Sequence, residues 1–317
     1  MRRSSMLVVL IMCGLIVGGC LNTGNSGNKM QGENEDTKDN ENDKQNAYEQ
    51  ENYVPIQEYT GEGFTLRDAN PKTGEIAEEN REEVVTAVED FFESKYKTEV
   101  NVHNIVSAVD GVSVFVESVG EPHFYSFAIV PIDIKNEEVK TDQVWSQEGQ
   151  IENAVQGGLY AMAFENEFSK LDAYLEKTIE NFPVVGTPTE IIEDVMGTGF
   201  TTTYYFTSPV ADLFDELYEV YLNKPDITKE ELSQFFSKHN FEPEDIIITI
   251  NIYMEEVEDE PDEDVFNDIV ANFEELEGVP RGSYSLLLHD NMIDKRRADG
   301  MKENTLKRTT PNKIIKE

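Results

Sequence analysis

Apolar and polar positions along the chain switch between two periods, and the switches mark out its elements. From Ile76 to Lys97, the residues Ile76, Val84, Val88, Phe91 and Phe92 recur at three- and four-residue spacing with acids between them. That spacing predicts an amphipathic helix. Three strand candidates follow: Val100–Val109, Gly111–Val119 with Val112, Val114 and Val116 on one face, and His123–Ile134. Asp110-Gly111 between the first two is a tight-turn signal, so an antiparallel meander packed on the preceding helix is expected. Ile151–Asn181 then reads as one long helix with Leu171, Leu175 and Ile179 on its apolar stripe, open to disturbance at Gly157-Gly158 and stopped by Pro183.

Beyond Pro183 the same element types return. Thr201–Thr207 is β-branched and aromatic and predicts a strand, and Pro209–Leu222 and Thr228–His239 predict helices. Thr228 with Glu231 three residues on has the capping-box pattern. Ile246–Met254 is the clearest strand: Ile246, Ile248, Ile250, Ile252 and Met254 form one apolar face, and Thr249, Asn251 and Tyr253 share the other. A helix over Asp262–Leu276 and a strand over Ser283–His289 complete the pattern. The expected fold class is α+β, with antiparallel sheet or sheets packed on amphipathic helices. It forms either one large domain or two halves, 53–184 and 185–294, divided at Pro183–Pro188.

The ends of the chain are written differently. Arg2 and Arg3 precede an uncharged apolar run, Leu7–Val17, which is too short for a permanent membrane span and suits a secretory leader. Val17-Gly18-Gly19-Cys20 resembles the lipobox of bacterial lipoproteins. That resemblance implies residues 1–19 as signal peptide, cleavage after Gly19 and a diacylglyceryl group on the Cys20 sulfur. Cys13 would leave with the leader, so Cys20 would be the only thiol of the mature chain, and lipidation accounts for an otherwise odd cysteine. From Leu21 to Asn52 the chain is Asn, Gly, Glu, Asp, Gln and Lys with almost no apolar residue. A disordered acidic tether reaching roughly 30–35 Å is expected there. Lys295–Glu317 has no apolar periodicity and carries eight bases against three acids, which predicts a disordered basic tail.

Charge narrows the partners. The chain carries 26 basic and 64 acidic residues, a net −38, and the segment Tyr53–Asp294 is the acidic part. A nucleic-acid partner is excluded for that surface, because phosphate binding needs clustered Lys and Arg. Anionic lipid and wall polymer would also repel it, so the expected contact with the membrane is through the lipid on Cys20; contact of the basic tail 295–317 with anionic lipid or polymer is the alternative to its being a disordered terminus. The densest acidic run, Glu255–Asp268, lacks the spacing of a calcium loop.

Candidate chemistry is sparse. His103, His123, His239 and His289 are scattered, and none pairs with another at His-x-x-x-His spacing. Ser94-Lys95-Tyr96-Lys97 and Lys72-Thr73-Gly74 match elements of penicillin-recognising enzymes, but the triplet precedes the serine, where that family has it downstream, and the middle element is missing. No catalytic, cofactor-binding or metal-binding residue is assigned, and Cys20 is the single site residue.

The opening Tyr53-Val54-Pro55-Ile56-Gln57-Glu58-Tyr59-Thr60-Gly61-Glu62-Gly63-Phe64-Thr65-Leu66 and the Ile151–Thr178 region resemble a family of lipoproteins from Gram-positive bacteria that carries only a domain-of-unknown-function label. The resemblance implies most of Tyr53–Asp294 and no activity. The expectation is a membrane-anchored, extracytoplasmic envelope lipoprotein that binds another envelope protein or a small ligand. The alternative is a solute-binding lipoprotein of a transporter, which predicts two lobes hinged at Pro183–Pro188 and a pocket lined by aromatics such as Tyr204, Tyr205 and Trp145. A cell-wall hydrolase ranks third.

Overall fold

The computed structural model describes residues 47–239, 241–257 and 259–317. The expected leader, Cys20 and most of the expected tether therefore lie outside the described residues. The folded part begins before Tyr53: residues 47–52 are helical, Tyr48 donates a hydrogen bond to Asp294 (2.9 Å), and Asn52 is buried.

Two sheets carry the architecture. The first is the expected meander, β2 (Val100–Ser107), β3 (Gly111–Ser118), β4 (Tyr125–Asp133) and β5 (Glu138–Val139), in the order β2-β3-β4-β5 and antiparallel throughout. Its core face is Val112, Val114 and Val116 from β3 with Ala128 and Val130 from β4, all buried. The second is built on β8 (Ile246–Met254) and β9 (Gly282–His289). β6 (Val184–Val185) and β7 (Tyr205–Pro209) share one edge of β8, while β11 (Leu306–Arg308) and β12 (Ile314–Lys316) share the outer edge of β9. A separate two-stranded ladder joins β1 (Tyr53–Pro55) to β10 (Met292–Asp294).

The helices follow the sequence pattern with two breaks. The segment expected as one helix from Ile76 is α1 (Pro71–Glu79) and α2 (Arg81–Tyr96). Asn80 separates them, because its side-chain amide turns back onto the Ile76 carbonyl (2.8 Å) and competes with the backbone ladder. The second long stretch is α3 (Gln150–Ala163) and α4 (Glu165–Asn181). It breaks at Phe164, whose ring packs on Tyr160 and Phe236 at 4.7 and 5.1 Å between centroids. Gly157 and Gly158 leave α3 intact. They allow close approach: a Cβ at Gly158 would lie 2.6 Å from the His123 carbonyl oxygen, and one at Gly157 would lie 2.7 Å from Thr207 Oγ1. α3 thereby touches both β4 and β7. The remaining helices are α5 (Asp212–Asn223), α6 (Lys229–Lys238) and α7 (Glu263–Glu275). Thr228 and Glu231 form the expected capping box on α6. Among the described residues no helix is long and apolar enough to cross a membrane.

Three expectations are corrected. The pair β8–β9 is parallel, with α7 as its crossover; nearly every residue of both strands is buried, as interior parallel strands require. Residues 183–188 are no hinge between lobes, since Val184–Val185 pairs with β8 and one apolar core runs from Ile76 to Ile314 through both halves. The basic tail is folded, because it brings cations to a domain in which acids far outnumber bases. Lys302 meets Asp290 at 2.6 Å and Arg308 meets Glu274 at 2.8 Å. Lys316 is buried, with its ammonium donating to the carbonyls of Phe273 (2.7 Å), Glu274 (3.1 Å) and Leu276 (2.6 Å). It satisfies the open C-terminal carbonyls of α7 and sits at the negative end of its dipole.

The acidic run Glu255–Asp268 has in part a local structural use. Asp262 caps α7 by accepting from the Asp264 and Val265 amides (2.8 and 2.9 Å), with Glu263 and Asp264 in the first turn.

Two predictions follow from this packing. Lys316→Met removes the donor to three carbonyls, of which Phe273 keeps the Leu276 amide (3.1 Å), and should cost about 2–3 kcal/mol in equilibrium urea unfolding; an unchanged midpoint would mean that the C-terminal strand is not docked. The second concerns His289, which is 2 % exposed and held between Asn251 Oδ1 (2.7 Å) and Thr305 Oγ1 (3.1 Å). Burial lowers its pKa from 6.5 to about 4, against the pull of Asp290 and with help from Lys307 and Lys302. The unfolded chain takes up this proton below about 6.5 and the folded chain does so only near 4. Stability is therefore lost as pH falls through that window, by about 3 kcal/mol at 1.36 kcal/mol per unit. The stability difference between wild type and His289→Gln should shrink between pH 7 and pH 4.5 by that order; a constant difference would contradict it.

Candidate functional site

The face of the meander turned away from α1 and α2 carries Ser113, Phe115 and Glu117 from β3. Phe115 is covered by Phe64 and Phe127, at 6.0 and 6.1 Å between centroids. Glu117 is only partly buried and becomes the centre of a polar cluster. Its Oε1 meets His123 Nε2 at 2.8 Å and accepts from the Tyr125 hydroxyl at 3.2 Å. Its Oε2 meets His103 Nε2 at 3.0 Å. The other ring nitrogen of His103 lies 3.9 Å from Glu193 Oε2.

Local irregularities assemble these groups. β2 pairs regularly with β3 up to Val102↔Val116 and resumes at Asn104↔Phe115, so His103 is the extra residue of a β-bulge. Bulges re-aim a side chain in this way. Glu193 arrives on a short helical turn, Thr189–Ile191, that widens into a π-helical turn, Ile192–Met196. Ile191, Ile192 and Val195 are buried and leave Glu193 and Asp194 toward the sheet edge. The turn is tied to the bulge by Asn104, whose amide donates to the Asp194 carbonyl at 3.1 Å. Gly197 closes it, with its amide donating to the Ile192 carbonyl at 2.7 Å. A Cβ at Gly197 would lie 2.5 Å from that oxygen and 2.6 Å from the Tyr125 side chain. His123 stands edge-on to Tyr125 and Phe200, at 5.2 and 6.1 Å.

The electrostatics agree with the geometry. Burial acts to raise the Glu117 carboxyl, but the hydrogen bonds from His123 and His103 outweigh it and hold the group below the ordinary range. Burial raises the Tyr125 hydroxyl, helped by the Glu117 charge, so Tyr125 stays a donor. Asp194 is raised, first by burial and then by the Glu190 and Glu193 charges. Beside the cluster opens a cleft of about 820 Å³, lined by Gly61, Phe64, Asn104, Glu190, Asp194 and Arg296 among others.

The structure thus joins two of the four scattered histidines through one glutamate. His239 and His289 stand apart. His239 stacks on Phe235 at 4.1 Å, and His289 belongs to the buried network described above. Spacing could not reveal the cluster, since His103, Glu117 and Glu193 are far apart in sequence; the available signal was the lone acid at the end of the apolar run Val112–Val116. Tyr204 and Tyr205 do line one small cavity, of about 160 Å³. Trp145 is not among its walls; it bridges to Ile129 and is 48 % exposed.

An α+β domain with a mixed sheet, a four-stranded meander and a histidine–carboxylate cluster on the meander's outer face is the class that fold and site define. The chain belongs to the family described as protein of unknown function (DUF1672), whose model matches residues 46–316. It is similar to the crystal structure of a DUF1672 family protein from Staphylococcus aureus subsp. aureus Mu50, with a TM-score of 0.67 at 15 % identity over 84 % of this chain and 98 % of that one. No curated protein matches the chain.

Gly197→Ala should be destabilising by about 1–3 kcal/mol, because the added methyl meets backbone on one side and the Tyr125 side chain on the other. The same change should move the histidine resonances of His103 and His123 in NMR spectra. Unchanged stability and spectra would show that the π-turn does not bear on Tyr125.

Proposed function

We propose that this protein is a lipid-anchored binding protein of the cell envelope, held on the extracytoplasmic face of the membrane. The observation that carries the reading is Val17-Gly18-Gly19-Cys20 directly after the apolar run Leu7–Val17 and the Arg2-Arg3 start. Two further points support it. The family includes a protein from a Gram-positive bacterium, and after cleavage Cys20 would be the only thiol, with lipidation as its use. The stretch 21–46 is a polar spacer, and with a net charge of −38 on the whole chain it keeps a like-charged domain off anionic headgroups. Binding is supported by the cleft beside the histidine–carboxylate cluster, where residues 60–69 form one wall.

The reading is tested by expression in a Gram-positive host with radiolabelled palmitate. Wild type is expected in the membrane fraction carrying label, and Cys20→Ala is expected unlabelled. A wild-type chain recovered from the medium without label, or a Cys20→Ala chain labelled like wild type, would overturn it.

A further inference from the structure

We propose that His103, Glu117 and Glu193 form a binding site for one divalent transition-metal ion of the zinc class, with His123 and Tyr125 as the positioning groups of Glu117. The inference is independent of the membrane anchor. It rests on four observations about the cluster.

The first is the donor set. One imidazole and two carboxylates are the ligands that zinc accepts, at about 2.0–2.2 Å each, which puts ligand atoms about 3.3 Å apart around the ion. Here one ligand atom from each of the three residues lies within 4.8 Å of the others. The two measured approaches use different ring nitrogens of His103, Nε2 to Glu117 Oε2 at 3.0 Å and Nδ1 to Glu193 Oε2 at 3.9 Å. Closing on one ion therefore requires one carboxylate to turn to the ring nitrogen that the other already faces, within the 4.8 Å that separates the ligand atoms. Three protein ligands leave a position for water or for a donor from a partner molecule.

The second is the outer shell. Metal-binding carboxylates are themselves held by hydrogen bonds. His123 and Tyr125 both occupy Glu117 Oε1, which leaves Oε2 as the oxygen turned toward His103.

The third is the backbone. His103 is aimed by a bulge and Glu193 by a π-helical turn. Both distortions interrupt regular structure, both are frequent next to functional sites, and they converge on the same carboxylate. Asn104 and Gly197 lock the two distortions together, as described above. The fourth is the field: a chain with a net charge of −38 concentrates cations at its surface, and this cluster is where an imidazole adds selectivity for transition metals over calcium.

The test uses the untagged full-length chain in detergent micelles, with Cys13 and Cys20 replaced by serine so that no thiol competes. Isothermal titration with Zn²⁺, Mn²⁺ and Ca²⁺ is expected to show one saturable Zn²⁺ per chain and no comparable Ca²⁺ binding. His103→Ala and Glu193→Gln should each weaken Zn²⁺ by at least about tenfold, and His123→Ala by about tenfold through the outer shell. Should His103→Ala fail to fold, Glu193→Gln serves alone, since the Glu193 side chain is only partly buried and the change is isosteric; thermal melts of each sample establish which case applies. Absence of saturable Zn²⁺ binding, binding equally tight in Glu193→Gln, or Ca²⁺ bound as tightly as Zn²⁺ would overturn the proposal and leave the cluster a set of ion pairs.

Discussion

Strand β8 is the constraint on which the second half of the molecule depends. Ile246, Ile248, Ile250 and Ile252 are fully buried, and burying four such side chains is worth on the order of 6–12 kcal/mol before conformational entropy is counted. Because β8 lies in the interior of its sheet, it must find ladder partners on both edges. It takes β9 in parallel on one side and β6 and β7 end to end on the other. That demand removes residues 183–188 from any hinge role and fuses the two halves around one core. β9 then needs an outer partner too, and β11 and β12 supply it.

The meander is tied to this frame at a few points, and those points shape the candidate site. Helix α3 lies against both sheets because Gly157 and Gly158 let its backbone come close. Tyr125 exchanges two backbone hydrogen bonds with Gly199, each 2.9 Å, which joins β4 to the segment leading into β7. The π-turn is held between a small apolar cluster, which includes Ile56, Ile191, Val195 and Tyr253, and the outer face of the meander. Glu117, His103 and Glu193 therefore come from elements pinned by packing elsewhere, and the cluster is presented on a preorganised surface.

Much of the fold was legible from residue periodicity. Ile246–Met254 was read to the residue, the β2–β4 meander to within a few residues, and the Thr228–Glu231 capping box as it stands. The breaks at Asn80 and Phe164 were not, since a side-chain hydrogen bond and an aromatic cluster override helix continuity at single residues. The parallel pairing of β8 and β9 was also missed. An apolar strand looks the same whether its neighbour runs with it or against it, and only the crossover through α7 distinguishes the two. The tail misled because its strands are three residues long and one-sided, too short to show a period.

The sequence by itself determined the acidic character, the element types and the apolar faces, because these depend on local composition and spacing. Tertiary structure alone decided that the basic tail closes the second sheet and that His103, Glu117, His123 and Glu193 meet. Both outcomes depend on long-range complements: cations of Lys302, Arg308 and Lys316 finding acids and open carbonyls far back in the chain, and a bulge and a π-turn separated by some ninety residues facing one glutamate. Such meetings are set by how sheets and helices pack, and no local pattern encodes them.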